Sequence, residues 1–145
     1  MQVQEFMTEN PACCAPDATL QAAASLMAGN DCGEIPVLDA QRRPVGVLTD
    51  RDIACRAVAQ GKGPDTPVQE VMSSPIVTVT PDMSLADCCD MMEQNQVRRV
   101  PVVDESGACC GMVSQADIAQ NAPDYEAAQL VRELSQPTAE PAHAG

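Results

Sequence analysis

Aromatic side chains are almost missing from this chain of 145 residues: Phe6 and Tyr125 are the only two, and there is no Trp. Neither base-stacking platforms nor aromatic cages for cationic ligands can be built from so few rings. Apolar residues still make up 45% of the sequence, which is ordinary for a globular protein. The composition therefore predicts a core of aliphatic residues, Met and Cys.

Basic residues are also scarce, with 8 Lys and Arg against 21 Asp and Glu and a formal net charge of −13. Nucleic acids and anionic lipids are bound through clustered cations, so neither nucleic acid nor membrane is expected as a partner. No apolar run approaches the roughly 18 residues of a membrane-spanning helix, and the first residues lack the pattern of a secretion signal. We therefore expect a cytoplasmic protein.

Histidine occurs once, at His143, within a segment from 137 to 145 whose composition predicts disorder. A catalytic Ser–His or Cys–His pair is therefore not expected, and no other nucleophile–base pair or metal-ligand set can be assembled from the sequence. The sequence predicts no catalytic residue and no metal site, and it favours a protein that is not an enzyme.

The chain contains two copies of one unit. A shift of 65 residues, without a gap, places Met7 on Met72 and Gly46 on Gly111. Further matches are Leu20 with Leu85, Pro36-Val37 with Pro101-Val102, and Asp52-Ile53-Ala54 with Asp117-Ile118-Ala119. Residues 61–67, rich in Gly and Pro, are typical of a linker. We therefore predict a first repeat over 1–60, a second over 68–122, and a C-terminal extension over 123–145 whose last part is disordered.

Each copy has the same predicted elements. A short extended segment precedes an amphipathic helix, for which Thr19 and Ser84 are the candidate N-caps. Asn30 and Asn95 lie where such helices commonly end in the left-handed conformation. A β-hairpin and a second helix follow in each copy, at 34–39 with 45–49 and then 50–60, and at 99–104 with 109–114 and then 115–121. A further short helix is predicted over 124–134.

Six of the eight cysteines occur as adjacent couples, and no Cys-x-x-Cys is present. Neighbouring side chains on a strand point to opposite faces, so a couple there cannot easily hold one tetrahedral zinc. In the repeat, Cys88-Cys89 is aligned with Ala23-Ala24. Cysteine thus replaces small residues, which favours buried structural thiols, with a redox response as the alternative.

One strand-to-helix corner occurs in both copies, as Gly46-Val-Leu-Thr49-Asp-Arg-Asp52 and Gly111-Met-Val-Ser114-Gln-Ala-Asp117. A Ser or Thr followed three residues later by an acid at a helix start is the pattern of a capping box. The same corner also supplies a hydroxyl, a carboxylate that can accept hydrogen bonds from a vicinal diol, and a helix N-terminus suited to phosphate. The pattern leaves a structural cap and a ribose-binding corner both open.

These corners, together with Ile35-Pro-Val-Leu-Asp39 and Val100-Pro-Val-Val-Asp104, give the chain its family likeness. From about Met7 to Asn121 the chain resembles a tandem pair of CBS domains, or Bateman module, of the small stand-alone bacterial type. The resemblance implies an α/β (α+β) fold, with two β-α-β-β-α repeats packed as a pseudo-twofold pair through their small sheets. It also implies a homodimer.

The resemblance further implies a regulatory or sensor module that binds an adenosine-containing nucleotide between the repeats and modulates an unidentified partner protein. The expected ligand is AMP, ADP or ATP, with S-adenosylmethionine or NAD as further candidates, and no cofactor is required. A ligand-free dimerisation scaffold is the main alternative, because the corners could serve only as caps. A cysteine-based redox responder is a third possibility.

Carried over by motif, the resemblance assigns roles to three groups of residues. The ribose and phosphate contacts would come from Thr49, Asp52, Ser114 and Asp117. The adenine cleft would be enclosed by Cys13, Ile35, Pro36, Val37, Val77, Val100, Pro101 and Val102. The phosphate candidates are Arg51, Arg98 and Arg99, for which an exposed charged face or an ion pair is the alternative. Because Gly33-Glu34 stands where the second copy has Arg98-Arg99, the two clefts are not expected to be equivalent.

Overall fold

The computed structural model describes residues 1–74, 76–121 and 124–135. Its strands are β1 Thr8–Glu9, β2 Glu34–Leu38, β3 Pro44–Thr49, β4 Arg99–Val103 and β5 Cys109–Ser114. Its helices are α1 Leu20–Asn30, α2 Asp50–Asp52, α3 Leu85–Asn95, α4 Gln115–Asn121 and α5 Asp124–Leu134. Helix α2 continues as a π-helical stretch, Ile53–Ala57, and a 3₁₀ turn, Val58–Gln60, and further 3₁₀ turns lie at Val3–Glu5 and Val68–Glu70. The fold is mixed α+β with two small sheets, as the sequence predicts.

The chain forms two compact units. The first-repeat unit consists of Pro11–Ile76, and the second-repeat unit combines Met1–Asn10 with the described residues from Val77 onward. In the first, β2 and β3 form an antiparallel hairpin in which Ile35 pairs with Leu48. In the second, the strand order is β1-β5-β4, and all pairs are antiparallel.

Each unit has its own aliphatic core, because the apolar face of its first helix packs on its hairpin. In the first-repeat unit the core contains Ala23, Ile35, Val37 and Leu48, all of them fully buried. In the second-repeat unit the core is built from fully buried Cys88, Met92, Val100, Val102, Val113, Ile118 and Leu130 with their neighbours. The predicted core of aliphatic residues, Met and Cys is confirmed.

The segment that begins each sequence repeat belongs to the unit of the other repeat. We call residues 3–8 and 68–73 the lead segments. Thr8 pairs with Met112 in the second-repeat unit, and Ser73 pairs with Val47 in the first-repeat unit. The compact units therefore differ from the predicted boundaries of 1–60 and 68–122 by an exchange of lead segments.

A glycine makes room for each lead segment. A Cβ on Gly46 would lie 2.7 Å from Met72 Sδ and 3.0 Å from the carbonyl oxygen of Ser73. A Cβ on Gly111 would lie 2.6 Å from Met7 Sδ and 3.1 Å from the carbonyl oxygen of Thr8. Both distances are too short for a side chain, so glycine is required where the lead segment crosses the hairpin.

The local predictions hold with small corrections. Thr19 accepts a hydrogen bond from Ala22 N at 3.1 Å, and Ser84 accepts one from Asp87 N at 3.0 Å, so both N-caps are confirmed. The left-handed residues are Asp31 and Gln96, one position after the predicted asparagines. The asparagine side chains instead donate to the carbonyl oxygens of Leu26 and Met91, inside the last helical turn.

Two further predictions concern the edges of the fold. The predicted extended segments make only single parallel bridges, Cys14 with Val37 and Val79 with Val102, so neither is a full strand. The predicted helix over 124–134 is present as α5. The predicted disordered tail and His143 lie outside the described residues. Within the described ranges no helix is long and apolar enough to cross a membrane.

Candidate functional site

The corner of the first-repeat unit is a closed capping box at the junction of β3 and α2. Thr49 Oγ1 accepts a hydrogen bond from Asp52 N at 2.9 Å, and Asp52 Oδ2 accepts one from Thr49 N at 3.0 Å. Both residues are buried, and Asp52 is 0% exposed. The structural interpretation of the motif is therefore realised here for one carboxylate oxygen.

The second oxygen of Asp52 faces a guanidinium. Arg56, one helical turn later, places Nη1 3.9 Å from Asp52 Oδ1, and the same nitrogen donates to the carbonyl oxygen of Met72 at 3.2 Å. Ser73 Oγ lies 3.5 Å from Asp52 Oδ2. Burial raises the pKa of Asp52, although the hydrogen bonds from Thr49, the charge of Arg56 and Ser73 all lower it. The carboxylate is thus enclosed by the protein's own polar groups.

The corner of the second-repeat unit has the same main-chain geometry and a different environment. Asp117 Oδ2 accepts from Ser114 N at 2.9 Å, and Ser114 Oγ accepts from Asp117 N at 3.1 Å. Both residues are only half-buried. Asn121 stands at the position of Arg56 in the repeat, and its side chain donates to the main-chain oxygen of Asp117 at 2.7 Å. Asp117 Oδ1 therefore has no partner within the described part of the chain.

The strand beside each corner carries opposite charge. Arg99 pairs with Ser114 in the β4–β5 register, and the carbonyl oxygen of Arg98 accepts from Gln115 N at 2.8 Å. Arg98 is exposed and Arg99 half-buried. In the first-repeat unit the matching position opposite Thr49 is Glu34, which is 7% exposed. A basic pair therefore flanks the second corner, and a buried acid flanks the first.

Three more acidic or basic groups complete this contrast. Asp50, at the start of α2, lies against Gly33, because a Cβ on that glycine would be 2.9 Å from Asp50 Oδ2. Arg51 follows it and is exposed. The equivalent residues of the second corner, Gln115 and Ala116, are uncharged. Of the predicted phosphate candidates, Arg98 and Arg99 lie at one corner and Arg51 at the other.

The residues predicted to enclose adenine lie on the strands that lead to these corners. Ile35, Val37, Val100 and Val102 are 0% exposed and belong to the cores of their own units. Pro36 and Pro101 alternate with them along the strands, and both are buried. The carbonyl oxygens of the two prolines accept from Cys14 N at 3.2 Å and from Val79 N at 3.0 Å. Cys13 and Val77, just before those amides, are half-buried.

The exposure of the predicted adenine-cleft residues therefore separates them into two groups. Only Cys13 and Val77 have side chains with accessible surface that a ligand in this conformation could touch. The four core aliphatics offer none, because their side chains fill the hydrophobic interior. Their predicted adenine role stays a prediction.

Sequence analysis missed two residues that contact Asp52. The i,i+4 spacing of Asp52 and Arg56 on one helix was a signal for an ion pair, and the repeat alignment with Asn121 marked it as a difference between the copies. Ser73 lies 21 residues from Asp52 in the sequence, in a lead segment, so no local pattern pointed to it.

The cysteines are mostly buried. Burial raises the pKa of Cys88 to about 12 and that of Cys14 to about 11, so neither forms a thiolate readily at neutral pH. Cys55 is the exposed one. Among the residues that the structure describes, no three His, Cys, Asp or Glu side chains lie close enough together to hold a metal ion. These environments fit thiols that act as small hydrophobic residues.

Two hairpin-based units of repeated sequence, each with a strand-to-helix capping corner, define a tandem pair of CBS domains. The family model of the CBS domain matches residues 3–57 and again residues 68–124, and the chain belongs to this family.

Individual relatives have the same architecture. The chain is 45% identical over 126 residues to the CBS domain-containing protein YhcV of Bacillus subtilis, covering 87% of this chain and 89% of that protein. It is 35% identical over 137 residues to Hypoxic response protein 1 of Mycobacterium tuberculosis, covering 94% and 95% of the two chains. The crystal structure of that protein, with two coordinated zinc ions, has a TM-score of 0.78 over 85% of this chain and 100% of the other.

A third structure contains adenosine compounds. The CBS domain pair of protein MJ0100, in complex with 5′-methylthioadenosine and S-adenosyl-L-methionine, is 25% identical with a TM-score of 0.75. The match covers 83% of this chain and 98% of that one.

Proposed function

We propose that this protein is a regulatory module that binds an adenosine-containing nucleotide and thereby changes its interaction with another protein. Two points support the class of ligand. The chain is a CBS pair, and the similar pair of MJ0100 binds 5′-methylthioadenosine and S-adenosyl-L-methionine. A ligand regulates by binding one conformation more tightly than another, so the nucleotide would shift a two-state equilibrium of the module.

The observation that carries the proposal is the half-buried carboxylate of Asp117. Its Oδ2 is held by Ser114 N, which fixes the orientation of the group, and its Oδ1 has no partner among the described residues. A fixed carboxylate with a free oxygen can accept hydrogen bonds from the hydroxyls of a ribose. Arg99, which pairs with Ser114 across the strands, supplies a cation for phosphate.

Regulation, homodimerisation and the lack of catalysis belong to the same proposal. No domain that could respond to the ligand is fused within the matched residues 3–57 and 68–124, so the regulated protein would be a separate chain. The proposed assembly is a homodimer of CBS pairs. A ligand-free dimerisation scaffold is the second candidate, because each corner acid caps its own helix.

Thermal unfolding in the presence of nucleotides tests the proposal. A ligand that binds only the folded state adds RT ln(1 + [L]/Kd), about 2.7 kcal/mol when its concentration is a hundred times Kd. We expect at least one of AMP, ADP, ATP, NAD and S-adenosylmethionine to raise the melting temperature. If none does so with the folded dimer, the proposal fails and the scaffold replaces it.

A further inference from the structure

The two corners share a motif and differ at every position that controls access to the carboxylate. Asp52 is 0% exposed and faces Arg56, whereas Asp117 is half-buried and has Asn121 at the matching position. We propose that each chain binds one nucleotide, through its phosphates and ribose, at the corner of Ser114 and Asp117, and that Arg56 keeps the other corner closed. This inference rests on the proposed function and specifies the site and ligand class.

Closure of the first corner follows from the partners of Asp52. A ribose hydroxyl could reach this carboxylate only after Arg56 had left both Asp52 Oδ1 and the carbonyl oxygen of Met72. Removing the guanidinium would leave a buried carboxylate without its cation, which is costly. Asp52 is therefore held by protein groups at the place where a ligand would otherwise hold it.

The second corner has no such competitor. Asn121 uses its side-chain nitrogen on the main-chain oxygen of Asp117, so it leaves the carboxylate alone. Thr8 replaces Ser73 in the repeat and is exposed. Asp117 Oδ1 is thus available without displacing any described side chain.

Charge selects a phosphorylated ligand at this corner. Arg98 and Arg99 adjoin Gln115 and Ser114 through a main-chain hydrogen bond and strand pairing. Arginine suits phosphate because its planar guanidinium donates in pairs. The matching residues of the first corner are Gly33 and the buried acid Glu34, beside which phosphate would be repelled. Two independent features, access and charge, therefore favour the same corner.

Isothermal titration calorimetry with ATP and with adenosine tests the inference on the full chain. We expect one ATP per chain, and Asp117→Asn to weaken both ligands about tenfold or more, because the amide retains the cap but loses a charged acceptor. Asp52→Asn should bind ATP as the unmodified protein does. The paired change R98G and R99E gives the second corner the residues of the first, and it should weaken ATP about tenfold or more but adenosine much less.

Arg42→Gly is the matched control. Arg42 is exposed, lies in a turn with a φ of 63° that suits glycine, and belongs to the other unit, so its loss removes a positive charge without touching either corner. ATP affinity is expected to stay unchanged. Circular dichroism of each variant checks that it is folded, and the stoichiometry of the unmodified protein decides the question even if Asp52→Asn does not fold.

Each outcome has one meaning. Two ATP per chain, or binding that survives Asp117→Asn and is lost with Asp52→Asn, overturns the inference and leaves the proposed function standing. An equal loss of ATP and adenosine affinity in the paired arginine variant overturns the phosphate assignment. Absence of binding by every adenosine compound to the folded protein overturns the proposed function itself.

Discussion

The two corners of this protein show how one motif can serve two purposes in a single chain. Their main-chain hydrogen bonds match within 0.2 Å, with distances of 3.0 and 2.9 Å at the first corner and 2.9 and 3.1 Å at the second. The difference lies one helical turn later, where Arg56 closes the first corner and Asn121 leaves the second open. A Thr or Ser followed by an acid at the third position specifies the cap, and its neighbours determine access to the carboxylate.

The largest effects are expected where the two units are alike. Gly46→Ala and Gly111→Ala would each force a lead segment away from the hairpin, because the new Cβ would lie 2.7 Å or 2.6 Å from a methionine sulfur and close to a main-chain oxygen. Overpacking of this kind costs about 1 to 3 kcal/mol. Urea unfolding should show both variants destabilised by similar amounts.

Gly63→Ala is the control for this pair, because nothing lies within 4 Å of a Cβ built on Gly63. Its free energy of unfolding should change by no more than about 0.5 kcal/mol. If one of the two corner-proximal glycines tolerates alanine as well as Gly63 does, the lead segments are not held alike in the two units.

A smaller effect is expected where the copies differ in their cores. Cys88 and Ala23 occupy the same repeat position, and both are 0% exposed. Cys88→Ser should cost about 1 kcal/mol, because the buried hydroxyl is costly but can donate to a carbonyl oxygen of its own helix. Cys55→Ser, at an exposed thiol, should be neutral.

Alkylation with iodoacetamide sharpens the same comparison. Burial raises the pKa of Cys88 to about 12, so this thiol should react only when the protein unfolds, and Cys55 should react in the folded state. Rapid modification of Cys88 in the folded protein would contradict its structural role and favour the redox alternative.

The smallest expected effect is a pH dependence of opposite sign in the two units. Burial raises the pKa of Asp52, so relative to Asp52→Asn the unmodified protein is most stable below about pH 3.9, the unfolded value, and loses that advantage as pH rises through the raised pKa. In the other unit, the Ser106 hydroxyl lowers the pKa of Asp104. Relative to Asp104→Asn, stability is present above about pH 3.9 and lost as pH falls.

Urea unfolding between pH 3 and pH 8 measures both dependences. The two difference curves should slope in opposite directions. A curve for Asp52→Asn that is flat across this range, or that slopes as the one for Asp104→Asn does, would mean that Asp52 is not held in the buried environment described here.

Much of the fold could be predicted from the sequence, because its signals are local or repeated. The shift of 65 residues gave the two copies, and Thr19 and Ser84 marked the helix starts that their hydrogen bonds confirm. The exchange of lead segments could not be read, because a repeat alignment does not say which copy of a segment packs with which body. The glycines that permit it were visible only as a conserved feature of the two copies.

The candidate site was predictable to a similar degree. The sequence located both corners and the charge difference of Gly33-Glu34 and Arg98-Arg99 beside them. It did not show that Asp52 is enclosed, because the enclosure depends on Ser73 and Met72 from the lead segment. Burial of a carboxylate is a tertiary property, and only the spacing to Arg56 gave a local indication of it.

Amide NMR of the folded protein during a titration with ATP tests the central claim most directly. Ser114 N and Thr49 N make the same hydrogen bond to the acid of their own corner, so each reports on one corner alone. The account predicts that ATP moves the Ser114 resonance to saturation and leaves that of Thr49 in place. A shift of Thr49 with Ser114 unmoved, or saturable shifts of both, would contradict it.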